Sequence, residues 1–65
     1  MLKLTETVRQ VIHKYPSART NNVLLVRATW HLQTQAGESN LFDPASILRV
    51  RQRLIGGKHH ENKSV

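Results

Sequence analysis

The chain predicts an all-α fold, a compact three-helix domain over residues 1–57 followed by a polar, disordered tail over 58–65. Three observations carry that expectation. Apolar residues recur at three- and four-residue spacing near the amino end and again after Asp43. Helix-starting and helix-stopping residues bracket the segments so marked, and the connections between them are short.

The first helix is expected from Thr5 to Tyr15, with Leu4, Val8, Val11, Ile12 and Tyr15 as its apolar stripe. Glu6 near its start and Lys14 near its end complement the helix dipole. Pro16 stops it, because proline lacks an N–H and disfavours helical geometry in the residue before it. Residues Pro16 to Thr20 then connect to a second helix, capped by Thr20 or Asn21 and reaching about Gln35. Val23, Val26 and Trp30 fall on one side of it, and Leu24, Leu25, Ala28 and Leu32 on another. A helix apolar on two sides is a central one, sandwiched between neighbours. Val23 to Val26 alone also reads as a buried strand, since four residues cannot separate the two periods. Helix is preferred because the following Arg-Ala-Thr-Trp-His-Leu-Gln continues without a breaker, and Gly37 ends it.

Leu41 and Phe42 are expected to pin the next connector to the core. In the third helix Asp43 is the N-cap, Pro44 takes the first helical position and Gly56-Gly57 supplies the stop. At 100° per residue Ile47, Leu48, Val50, Leu54 and Ile55 share one arc, while Ser46, Arg49, Gln52 and Arg53 fall opposite. Arg51 lies nearer the apolar arc, its stem packed on the core and its guanidinium reaching outward. A strict helix-turn-helix uses a turn of three or four residues. Gly37 to Asp43 is longer, so a looser variant is the form open to this chain, and nothing after the third helix suggests a wing.

The bulk properties narrow the function. Sixty-five residues make one small domain, with a thin stability margin that dimerisation or a partner can supplement. There is no cysteine, which excludes a disulfide framework or thiolate zinc site and fits a reducing cytoplasm. The opening Met-Leu-Lys-Leu-Thr-Glu has no basic-then-apolar leader, so no signal peptide is expected. The longest apolar run, Val23 to Val26, is far too short to span a membrane. Ten Lys and Arg against four acids give a formal charge of +6, and the isoelectric point is near 11.0. That balance favours polyanions, with nucleic acid first, although an excess of cations also serves plain solubility.

On the third helix, Arg49 and Arg53 stand one turn apart with Gln52 beside them, and no acid lies between Asp43 and Glu61. A face without mixed signs points to a polyanion, because an inert helix surface usually carries both. Arg, Gln and Ser on such a helix can contact bases and phosphates in the major groove. The expected DNA contacts are Ser46, Arg49, Gln52 and Arg53, with Arg51 and Lys58 adding phosphate attraction. The competing readings are an ordinary solvated face and a protein-binding face. His13, His31, His59 and His60 lack the i, i+4 pairing with a nearby acid, so no metal or other cofactor is expected. Glu6, Asp43, Glu38 and Glu61 assemble no nucleophile-and-base set, so no enzyme is expected. Trp30 and Tyr15 have faces on which bases can stack, but their places on apolar stripes favour the core.

Taken together, Pro16-Ser17-Ala18-Arg19, Asn21-Asn22 with Leu24-Leu25, Trp30, and Pro44-Ala45-Ser46-Ile47-Leu48-Arg49-Val50-Arg51 closing with Arg53-Leu54 carry a resemblance. Over about residues 4 to 54 the chain resembles a loose group of small, mostly uncharacterised phage and prophage proteins of Gram-positive bacteria. Gln52 stands where that group commonly has a second consecutive Arg, and Ile55 where it has Gln, which lowers charge and raises apolarity at the helix end. The resemblance implies a phage or prophage gene acting inside a bacterial cell and brings no activity with it. The expected function is therefore a small, cytoplasmic, non-enzymatic DNA-binding protein, as a monomer or a homodimer. A module docking on a host or phage protein is the alternative.

Overall fold

The computed structural model describes residues 1–63, with side chains described as far as Gly56. Helix α1 spans Leu4–Lys14, a 3-10 turn follows at Pro16–Arg19, α2 spans Asn22–Gln35, and α3 spans Pro44–Lys63. Val23 to Val26 lies within α2, so the strand reading of that run is set aside.

The local signals explain most of these boundaries. Asn21 Oδ1 accepts the Leu24 N–H at 3.0 Å, so Asn21 caps α2. At the other end Gly37 adopts φ +81°, a left-handed conformation that costs glycine nothing. The Glu38 N–H then donates to the Gln33 carbonyl at 2.9 Å and the Gly37 N–H to the Thr34 carbonyl at 3.0 Å. These are the two bonds of a Schellman ending, and they turn the chain out of α2. Asp43 caps α3 doubly, taking the Ser46 N–H at 3.1 Å and the Ser46 hydroxyl at 2.8 Å.

The carboxyl end of α3 departs from expectation. Its backbone runs through Gly56 and Gly57 to Lys63, so Gly56 does not close it. The physical reason is that glycine inside a helix costs only about 1 kcal/mol relative to alanine, which a favourable flank can absorb. Of the tail expected to be disordered, residues 58–63 continue this helical backbone, their side chains lie outside the described residues, and so do residues 64 and 65.

Each helix touches both others, giving a triangular bundle. Val8 and Val11 of α1, Ala18 of the 3-10 turn, Leu25 of α2, and Ile47 and Val50 of α3 are buried together. Full burial of such a Val, Leu or Ile contributes about 1.5–3 kcal/mol. Leu4, Ile12, Trp30, Phe42, Leu48 and Leu54 pack around them, half-buried. Four residues expected against the core or a packed neighbour lie outside it, Val23 and Leu41 among them, both exposed. Tyr15 is 39% exposed and Ile55 45% exposed. Tyr15 is at the very end of α1, where its backbone has already left helical geometry, and Ile55 sits near the edge of its helix's apolar arc.

The connector between α2 and α3 is held by one polar side chain. Gln33 is fully buried. Its Nε2 donates to Glu38 Oε1 at 3.1 Å and the Asn40 carbonyl at 3.2 Å, and its Oε1 accepts the Phe42 N–H at 2.9 Å. Trp30 Nε1 donates to the Phe42 carbonyl at 2.7 Å. Phe42 is thus bound through both backbone groups, which fixes where α3 begins. The free oxygen of Glu38 accepts the Leu2 N–H at 2.7 Å and ties the start of α1 to the same end.

Candidate nucleic-acid interface

The outer face of α3 is built by that fixed start and by helical geometry. Ile47 and Val50 point into the core, so Arg49, Gln52 and Arg53 must point away from it, and all three are exposed. Spacings of three and four residues set them beside one another on one face. Gly56 continues the same stripe, and an added Cβ there would meet nothing within 4 Å.

The other three sequence-selected residues behave differently. Ser46 is half-buried, and its hydroxyl donates to Asp43, so it serves the helix cap. Arg51 is half-buried and its Nη1 donates to the Ala18 carbonyl at 3.3 Å. That guanidinium binds the carboxyl end of the 3-10 turn instead of simply reaching outward, and so fastens α3 to the α1–α2 connection. The Lys58 side chain lies outside the described residues.

The acids are spent within the chain. Hydrogen bonds from Gln33 and from the Leu2 N–H hold the Glu38 carboxyl below the usual carboxylate range. The Ser46 hydroxyl and N–H do the same for Asp43, with the Arg49 charge the smallest contribution. Among the described residues the one ion pair is between the terminal ammonium and Glu38, at 3.9 Å with the Met1 side chain 90% exposed. A contact that long and exposed contributes little. Among the described residues no Arg or Lys side chain is in an ion pair with an acid, so the described acids do not neutralise the positive surface.

The cations are also spread more widely than one helix. Arg9, Lys14, Arg19 and Arg27 are exposed on α1, the 3-10 turn and α2. Arg9 and Arg19 flank Ile12, Leu54 and Ile55 in a shallow hollow between α1 and α3. Sequence reasoning missed this, because only the folded bundle sets those elements side by side. Between α2 and α3 lies an apolar hollow of about 310 Å³, lined by Val23, Val26, Trp30, Pro44 and Leu48 with Arg27 at its edge. Val23 there is 63% exposed.

Among the described residues there is no group of three or more His, Cys, Asp or Glu able to hold a metal ion. No helix described is long and apolar enough to cross a membrane. Compared with protein-family models, curated proteins and solved structures, the chain matches none of them.

Proposed function

We propose that this chain is a small, non-enzymatic DNA-binding protein of phage or prophage origin that works in the bacterial cytoplasm. Arg49 and Arg53 contact phosphates or base edges, and Gln52 between them can form a bidentate pair with adenine. Helices α2 and α3 act as a loose helix-turn-helix-like pair, the longer connector being stiffened by Gln33 and Trp30. The observation that carries the reading is one exposed face bearing Arg49, Gln52 and Arg53 with no acid partner among the described residues. A single face this small offers few base contacts, so sequence selectivity requires two copies on two half-sites.

Fluorescence anisotropy of a labelled mixed-sequence duplex, titrated at two salt concentrations, tests it. Affinity should fall as salt rises, because each neutralised phosphate releases counterion. The Arg49→Ala/Arg53→Ala variant should bind more weakly, with a salt slope shallower by about 2. No binding at low salt would sink the reading.

A second reading is favoured by the apolar hollow of Val23, Val26, Trp30, Pro44 and Leu48. An uncovered apolar surface rimmed by a cation suits a docking module for a host or phage protein. Retrieval of one protein by the wild type, lost in Val23→Asp, would support that reading over DNA.

A further inference from the structure

The groove between α1 and α2 faces away from α3, since each helix of the bundle packs on the other two. Val11, Leu24, Ala28 and Leu32 form its apolar floor, in a hollow of about 460 Å³ whose rim carries Lys14, Tyr15, Arg27 and His31. On α2, Leu24, Arg27, Ala28, His31, Leu32 and Gln35 follow one stripe, roughly 17 Å long at helical rise. Lys14 and Leu32 also border an adjoining hollow with Arg9, Gln10 and His13, which lengthens the basic rim along α1. Tyr15 is 39% exposed, and Lys14 Nζ lies 5.7 Å from the centre of its ring.

Three features coincide here: an exposed aromatic ring, an apolar trough and cations on both walls. Double-stranded DNA buries its base faces in the stack and gains nothing from an apolar floor. Unpaired bases do gain, because every base has a face that stacks on an aromatic ring or covers apolar surface, while its phosphates seek cations. We infer that the α1–α2 groove is a second nucleic-acid surface that takes single-stranded nucleic acid. A base stacks on the face of Tyr15 that the Lys14 ammonium leaves open, neighbouring bases lie over Leu24 and Leu32, and Lys14, Arg27 and His31 hold phosphates. The inference does not need the α3 face to bind duplex.

The test is anisotropy of a fluorescein-labelled oligothymidylate of about twelve nucleotides, with the full chain and four variants. Each variant's thermal unfolding is followed by circular dichroism, and affinities are compared at a temperature where all are folded. Wild type and Tyr15→Phe should bind alike, since both keep the aromatic face. Tyr15→Leu should bind about tenfold more weakly, by the loss of one stack. Lys14→Ala/Arg27→Ala should weaken binding and flatten its salt dependence, whereas Arg49→Ala/Arg53→Ala should change it little. Equal binding by Tyr15→Leu and wild type would overturn the assignment. So would loss of oligothymidylate binding only in the α3 variant, which would place single strands on the same face as duplex. Absence of oligothymidylate binding, with an acidic helical peptide bearing leucines occupying the groove instead, would overturn it as well. Failure of duplex binding alone would leave this inference standing and remove only the reading of α3.

Discussion

The loop end of the bundle and the outer face of α3 are both rich in polar groups, yet they use them in opposite ways. At the loop end Gln33, Glu38, Asn40, Phe42 and Leu2 satisfy one another, and Asp43 is consumed by Ser46. On α3, Arg49, Gln52 and Arg53 are exposed, with no ion pair to an acid among the described residues. Both described acids at the loop end are held by hydrogen-bond donors, so they leave the arginines' charge available. Polar groups that bond inward build the fold, and those left outward are available to a partner.

That contrast can be broken or sharpened by substitution. The largest effect on stability should come from Gln33→Leu, which leaves the part-buried Phe42 N–H without its acceptor and removes the side-chain donor to Glu38, whose other oxygen keeps the Leu2 N–H. We expect a loss of about 3 kcal/mol, read from urea unfolding, because each orphaned buried group costs about 1–3 kcal/mol. A loss below about 0.5 kcal/mol would mean the connector holds itself. Gly37→Ala should cost about 1–2 kcal/mol, since alanine resists the left-handed backbone that ends α2. The same substitution at Gly56 should have the opposite sign. Gly56 is inside a helix with open space at the Cβ position, so Gly56→Ala should stabilise by about 0.5–1 kcal/mol.

Acid should act on the loop end first. Glu38 and Asp43 have folded pKa values lowered from the ordinary carboxylate value. Their contribution is therefore present at neutral pH, begins to fade as pH drops to about 4, and is lost as pH falls through the folded values. The thermal midpoint of wild type should fall in that window. In Gln33→Leu the acid-induced fall should be smaller, because the Gln33 hydrogen bond is the largest influence on Glu38. An equal fall in both proteins would place the sensitivity elsewhere.

The parts of this fold that depend on local chemistry were readable in the chain. Asn21, Gly37 and Asp43 mark helix ends because caps and left-handed turns involve only a few neighbouring residues. What needed the folded bundle was not readable. Gln33 looks like a surface residue of α2 until its partners arrive from five to nine positions further on. Spacing alone points Arg51 at phosphate, but its hydrogen bond goes to Ala18, thirty-three residues away. Residue type gives Gly56 a stopping role, whereas glycine tolerates a helix wherever its flanks favour one. Spacing puts Tyr15 with the core, and the end of α1 turns it outward. The face of Arg49, Gln52 and Arg53 was legible because a single helix presents it. The basic groove of Lys14 and Arg27 required two helices to meet.

The central claim, that the α3 arginines serve a partner and not the fold, is tested most directly by measuring two properties of one variant. In Arg49→Ala/Arg53→Ala the unfolding midpoint in urea and the affinity for a labelled duplex at low salt should separate. The account predicts stability within about 0.5 kcal/mol of wild type, as for ordinary surface substitutions, together with a marked loss of duplex binding. Unchanged duplex affinity, or a midpoint that falls with the affinity, would contradict it.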